Sequence, residues 1–254
     1  MIKFFRKIRQ KLLDEGNLKR YLIYAIGEIL LVVIGILIAL QLNNWNEDRK
    51  SRNKEIQFLE RLVTDLTADE VYLAGRIKKA EEEVMFNKRF IDHAFKIQQS
   101  EEEYRDLVKS LQWSTRHLIL QNSTYAELST SGLLDLFQNK ELKLQIISYY
   151  RKYDDYAAHV KEYNEFSTSI FREVSHLTNK YSDWAADYFD QSIMFYKSDW
   201  TFINDPTSYE FKQLINCATI YGLKHRDLNK YFVELRDQAI RLIKITSEEL
   251  VNRR

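Results

Sequence analysis

The sequence is poor in cysteine and in the residues that form turns. Its 254 residues include one proline, six glycines and one cysteine. Hairpins and tight turns depend on glycine and proline, so their scarcity excludes an all-β or loop-rich fold and indicates long helices. The lone cysteine, Cys217, excludes an intrachain disulfide and a cysteine-based zinc cluster.

Neither sign of charge dominates, and familiar catalytic motifs are missing. Lys and Arg total 38 and Asp and Glu total 37, a balance that gives no electrostatic reason to expect nucleic acid as a partner. The sequence has no nucleophile elbow, P-loop or dinucleotide fingerprint. One Glu173-x-x-His176 pair occurs, but a di-iron bundle needs two such pairs. We therefore predict a protein that is not an enzyme, with no cofactor, metal site or catalytic residue.

One long apolar run is present, over residues 21–42, with Glu28 as its single formal charge. As a helix rising 1.5 Å per residue, the run would measure about 33 Å, enough to cross a hydrocarbon core of about 30 Å. A cleaved signal peptide has a shorter apolar core that ends in a small-x-small site. We interpret residues 21–42 as an uncleaved transmembrane helix.

The basic residues that flank this run predict its orientation. Residues 1–20 carry seven Lys and Arg, whereas residues 43–60 carry four. Because translocation is biased against Lys and Arg, we expect residues 1–20 in the cytoplasm and residues 43–254 on the other side. Residues 2–13 also alternate apolar and basic side chains at helical spacing, which favours a helix on an anionic lipid surface. A docking peptide for a cytoplasmic protein is the alternative.

Three residues predict a contact inside the membrane. At 100° per residue, Gly35 and Ala39 lie within about 20° of Glu28, so the three form one stripe. Small residues four apart permit close helix approach, and a buried acid needs a partner. We predict that this stripe binds a membrane-protein partner or a second copy of the chain. In the alternative, Glu28 reaches toward the headgroups and Lys19 or Arg20.

Several segments of the sequence resemble a known family signature. They read FFRKIRQKLL at 4–13, YAIGEI at 24–29, LVVIGILIAL at 31–40 and NNWNE at 43–47. Together they resemble the N-terminal signature of a family of uncharacterised single-pass bacterial inner-membrane proteins, a domain of unknown function. A weaker similarity lies at STYAEL (123–128) and NKEL (139–142). The resemblance implies an inner-membrane location with a helical periplasmic domain, and it implies no reaction.

Apolar residues beyond the membrane run follow a strict 3,4 spacing. The first seam occupies positions 56, 59, 63, 66, 70, 73, 77, 80, 84, 87, 91 and 94. It predicts a coiled-coil-like helix over 47–98, with a break at Gly75 as the alternative. Ser100 with Glu103 offers a cap for a shorter helix through about Leu118, and Gly132 separates two more short helices.

Two further seams predict two more long helices. One runs from 146 to 181. Four of its positions between 149 and 163 are tyrosines (149, 153, 156 and 163), so we interpret it as half-wet or as an interface. The other runs from 211 to 242 and is apolar except for His225. Asp205-Pro206 would begin that helix, with Thr207 and Glu210 as a capping box.

The predicted fold is therefore all-α: one N-terminal transmembrane helix followed by an elongated antiparallel helical bundle with coiled-coil-like seams. Between the last two helices, residues 182–205 mix aromatic side chains with carboxylates, which suits a sugar, a cation or a partner. The candidate residues are Trp184, Tyr188 and Trp200, and core packing is the alternative. We predict a membrane-anchored interaction or scaffold protein; a ligand-sensing bundle that signals through a partner membrane protein is the alternative.

Overall fold

In the computed structural model, structure is described for residues 18–96, 100, 102–103, 107, 111, 113–179 and 202–253. The elements are helix α1 (Leu18–Ala94), helix α2 (Ser123–Thr130), a 3₁₀ helix (Leu133–Leu136), helix α3 (Lys140–Asn179) and helix α4 (Tyr209–Arg253). Within these described ranges there is no strand, and the all-α prediction is confirmed. The chain divides into two units, Met1–Ile56 and Gln57–Arg254.

In the first unit, the apolar run of residues 21–42 lies on α1, and its large apolar side chains are exposed. Its large apolar side chains from Leu22 to Leu42 are 43–64% exposed. An 18-residue window in this helix has a mean hydropathy of 2.5, and none of that window is buried. By length and composition, this helix could cross a membrane.

Helix α1 is continuous through Gly75, so the predicted alternative of a break there is wrong. A Cβ added at Gly75 would meet no atom within 4 Å, which places this residue on the open face of the helix. The helix ends at Ala94, where the Lys96 backbone N–H donates to the carbonyl of His93 at 3.0 Å. The predicted end at Gln98 lies outside the described residues.

In the second unit, α1 and α3 run in the same direction. Asp69 of α1 meets Tyr149 near the start of α3, and Phe90 shares a cluster with Val174 near the end of α3. Helix α4 runs antiparallel to both. The predicted antiparallel arrangement therefore holds for α4, whereas α1 and α3 are parallel because the connection between them returns along the bundle.

The buried stripe of α1 differs from the predicted seam in half of its positions. Both contain Leu59, Leu66, Leu73, Ala80, Asn87 and Ala94. Other buried positions each lie one residue before a predicted one: Glu55, Phe58, Leu62, Asp69, Glu83 and Phe90. The half-buried residues Val63, Glu70, Ile77, Val84 and Ile91 form the edge of the stripe. The prediction was wrong here because it chose the more apolar of two overlapping stripes.

The seam of α4 is confirmed, while its predicted cap is not. All ten predicted positions from Phe211 to Leu242 are buried, His225 among them. The cap is Ser208, whose Oγ accepts the Phe211 backbone N–H at 3.2 Å. Thr207 instead donates its N–H and its hydroxyl to Asp205 Oδ1. The predicted Thr207 and Glu210 capping box is wrong, because Thr207 lies in the turn that precedes the helix.

Residues 113–122, which we call the strap, form a segment without helix or strand, not the predicted helix. The predicted cap is present, since the Glu103 N–H donates to Ser100 Oγ at 3.2 Å, but the helix does not continue to Leu118. Leu118 and Leu120 are buried two residues apart, which is the period of an extended chain. Beyond the strap, Gly132 has a φ of 70° and separates the two short helices as predicted.

Candidate functional site

The predicted membrane stripe lies on one face of α1. Glu28 is half-buried, and Gly35 and Ala39 are exposed. A Cβ added at Gly35 would meet no atom within 4 Å, so the backbone is open to close approach there. Nothing in the structure tests whether a partner occupies the stripe, and it stays a prediction. The aromatic candidates Trp184, Tyr188 and Trp200 lie outside the described residues.

A site that the sequence did not reveal is built around the strap. Four of its carbonyls accept hydrogen bonds from helix side chains, and three of these four lie at residues 114–117. Lys224 Nζ donates to the carbonyl of Ser114, and Asn164 Nδ2 donates to that of Arg116 at 3.2 Å. Arg76 Nη1 and the hydroxyl of Tyr72 both donate to the carbonyl of His117, at 3.0 and 3.1 Å. Polar side chains of α1, α3 and α4 thus replace the hydrogen bonds of a sheet or helix.

Asp69 holds the other end of the strap. Its Oδ1 accepts the backbone N–H of Gln121 at 2.7 Å, and its Oδ2 accepts the hydroxyl of Tyr149 at 3.1 Å. The hydroxyl of Tyr150 donates to the carbonyl of Gln121 at 3.2 Å. Burial raises the pKa of Asp69 to about 6, although the two hydrogen bonds oppose that shift. The Asp69 carboxyl therefore accepts hydrogen bonds that hold the strap, and its pKa lies above the usual value.

Lys224 is a cation in the core of the second unit. The residue is 2% exposed, its Nζ lies 3.3 Å from Ser167 Oγ, and it sits 4.2 Å from the centre of the Tyr221 ring. Burial lowers the pKa of Lys224 to about 8. Its bond to the Ser114 carbonyl compensates for part of the lost hydration.

Next to Lys224 in sequence, His225 of α4 forms a buried carboxylate–imidazole contact with Glu83 of α1. His225 Nδ1 is 2.8 Å from Glu83 Oε2, and the two side chains are 5% and 6% exposed. Burial raises the pKa of Glu83, but the hydrogen bond and charge of His225 outweigh this effect and leave the pKa below its usual value. The polar residue that interrupts the apolar seam of α4 is thus paired with a polar residue in the missed stripe of α1.

Two grooves of about 400 Å³ lie on the surface of the second unit. One is between the strap and α3, and its lining residues are Thr115, His117, Lys161, Asn164, Glu165, Thr168 and Arg172. The other is between α3 and α4, and its lining residues are His159, Glu162, Tyr163, Phe166 and Tyr231. Tyr163 is one of the four seam tyrosines between 149 and 163 on α3. Three of these four are half-buried, as the half-wet interpretation predicted.

The remaining chemical candidates are dispersed. Glu173 and His176 are exposed on α3. Cys217 is fully buried, and burial raises the pKa of its thiol to about 12. Among the described residues, no group of three or more His, Cys, Asp or Glu side chains could hold a metal ion.

Comparison with known proteins gives one match. No curated protein and no solved structure matches the chain. The model of a family of unknown function, DUF6090, matches residues 28–205. That match covers more than half of the chain, from Glu28 through the strap to the end of residues 182–205. It confirms the predicted membership of an uncharacterised family. The chain therefore belongs to DUF6090, a family of unknown function.

Proposed function

We propose that this chain is a membrane-anchored interaction protein with no catalytic role. Residues 21–42 cross the bacterial inner membrane, residues 1–20 remain in the cytoplasm, and residues 43–254 form a periplasmic helical domain. The observation that carries the proposal is the exposed apolar surface of α1, where a window with a mean hydropathy of 2.5 has no buried residue. Such a surface favours lipid over water at about 25 cal/mol per Å².

The polar groups of the bundle support a structural role for its interior. Lys224 and Asn164 are engaged with strap carbonyls, and Asp69 is engaged with a strap N–H. Glu83 is paired with His225. Asp69, Glu83 and Lys224, whose pKa values are displaced, thus stabilise one conformation of the chain. A rigid bundle on an anchor suits the presentation of a surface to a partner.

The membrane stripe of Glu28, Gly35 and Ala39 gives this protein a second surface for interaction. A small residue at Gly35 lets another helix approach its backbone, and a carboxylate at membrane depth favours a polar partner. In this proposal the partner is a membrane protein or a second copy of the chain.

A ligand-sensing bundle is the second candidate function, and the groove between the strap and α3 favours it. A sensor of this kind would pass its state to a partner membrane protein. This reading therefore also depends on the membrane stripe.

Fusion of a reporter enzyme tests the anchor and its orientation. Alkaline phosphatase, which is active only in the periplasm, is fused after Arg254, and the fused protein is expected to be active and to stay with the membrane after alkaline carbonate washing. A matched fusion replaces Leu30, Ile34 and Leu37 with Asp, and it should no longer be retained. A stable fusion that is inactive would reverse the orientation, and one released by carbonate would contradict the anchor.

A further inference from the structure

The groove between the strap and α3 has the chemistry of a ligand site. It holds about 400 Å³, and its lining residues in the described part of the chain are all polar or charged. Small-ligand sites in proteins range from about 300 to 1,000 Å³. The described residues that line the groove all belong to the second unit.

One wall of the groove is the strap, and side chains of the helices bind its backbone carbonyls. The carbonyls of Ser114, Arg116 and His117 are bound by side chains of three different helices. Thr115 and His117 of the strap both line the groove. This wall is preorganised, which reduces the entropy lost when a ligand binds.

The other wall is one face of α3. Lys161, Glu165, Thr168 and Arg172 follow one another at spacings of four, three and four residues, which keeps them on a single face. At 1.5 Å per residue, the backbones of Lys161 and Arg172 are about 16 Å apart. The groove thus has a cation at each end and hydroxyl groups between them.

The charges of the groove favour an anion. Among the described lining residues, the cations Lys161 and Arg172 outnumber the one acid, Glu165. Lys161 Nζ lies 3.9 Å from Glu165 Oε1, and both side chains are about two-thirds exposed. That separation is too long for a hydrogen bond, so Lys161 keeps donors for a ligand. The guanidinium of Arg172 offers a planar fork that matches carboxylate or phosphate oxygens.

We propose that this groove binds a small oxyanion ligand, a sugar acid or a sugar phosphate. Arg172 receives the anionic group in its fork, and Lys161 supplies a second positive charge at the far end. Thr115 and Thr168 offer hydroxyls to the sugar hydroxyls. The site stands whether the protein is a scaffold or a sensor, and its failure would leave the membrane anchor unaffected.

Calorimetric titration of the full chain tests the site. The protein is held in micelles of a neutral polyoxyethylene detergent and titrated separately with inorganic phosphate and with glucuronate. We expect saturable binding of at least one of them with one site per chain, and weaker binding as sodium chloride screens the charges. Arg172→Gln should weaken that binding about tenfold, as expected for the loss of a charge-assisted hydrogen bond. If neither anion saturates, the proposal is overturned.

Two matched variants separate a built site from general charge. Glu165→Gln removes the one acid of the groove and should tighten binding. Arg151→Gln removes an exposed cation of the same helix, about 15 Å before Lys161, and should leave binding unchanged. Equal weakening by Arg151→Gln and Arg172→Gln would overturn the proposal.

A third arm distinguishes a soluble ligand from a lipid headgroup. Micelles that contain phosphatidylglycerol are compared with neutral micelles in the same glucuronate and phosphate titrations. Loss of anion binding in the doped micelles, absent from Arg172→Gln controls, would assign the site to a lipid phosphate. Unchanged anion binding supports a soluble sugar acid or sugar phosphate.

Discussion

His225 Nδ1 lies 2.8 Å from Glu83 Oε2, and the two side chains are 5% and 6% exposed. This contact joins the one polar position in the apolar seam of α4 to a polar position of α1. A buried pair of this kind contributes little net free energy of folding, because desolvation offsets the attraction. Removal of one member leaves the other buried without its partner.

We expect Glu83→Ala and His225→Ala each to lower the free energy of unfolding by about 3 kcal/mol or more. The double variant should lose less than the sum of the two, with a coupling of at least about 1 kcal/mol. Urea unfolding of the full chain in micelles, followed by circular dichroism, measures all three. The matched control is the surface pair Arg61 and Glu127, also 2.8 Å apart but 47% and 48% exposed. Its coupling should stay below about 1 kcal/mol, and equal couplings for the two pairs would contradict the assignment.

The titration of Asp69 predicts how stability changes between pH 4 and pH 6. Its pKa is raised by burial from 3.8 to about 6, so the folded state holds this proton more tightly than the unfolded chain does. The associated stability is fully present below pH 3.8 and is lost as the pH rises through 6, by up to about 3 kcal/mol. Asp69→Asn can still accept the Gln121 N–H, and it should abolish this part of the pH dependence. Identical pH profiles for the variant and the native chain would contradict the prediction.

Lys224 has the opposite pH dependence in a higher window. Burial lowers its pKa from 10.5 to about 8, so the unfolded chain binds this proton more tightly and stability should rise between pH 8 and 10.5. Lys224→Met removes that rise. It also leaves the carbonyl of Ser114 without its donor, at a cost of about 1 to 3 kcal/mol at pH 7. Unfolding midpoints across this pH range measure both effects, and Lys230→Met, at an exposed position of the same helix, should change neither.

The start of α4 gives a test of local structure. Ser208→Ala removes the side chain that accepts the Phe211 N–H and should cost about 1 kcal/mol of unfolding free energy. Glu210→Ala should be nearly neutral, because the capping box that would involve this residue is not formed. A larger loss for Glu210→Ala than for Ser208→Ala would restore the capping box.

The sequence predicted α4 well and the buried face of α1 poorly, for a physical reason. The seam of α4 is apolar at nine of ten positions, and burial of apolar area fixes its register without reference to any other segment. In α1, Asp69 and Glu83 are buried because Tyr149, Gln121 and His225 meet them. Those partners lie far along the chain, so periodicity alone cannot find them.

The strap and its groove were missed for a related reason. The donors to its carbonyls come from α1, α3 and α4, at sequence separations from 29 to 110 residues. The prediction of a helix through Leu118 depends on the local cap formed by Ser100 and Glu103, which lies outside the strap. The extended chain is favoured here because its backbone groups are satisfied by side chains of other elements.

The central proposal is that the stripe of Glu28, Gly35 and Ala39 binds another membrane helix, and photocrosslinking tests it most directly. A photoreactive amino acid is placed at Ala39 in one variant and at Leu37 in another, since Leu37 lies about 180° from Glu28 on the same helix. After irradiation of intact cells, the account predicts one dominant adduct from position 39 that is absent from position 37 and that disappears when Glu28→Ala and Gly35→Leu are added. Equal labelling from both positions, or an adduct that survives those two substitutions, would contradict it.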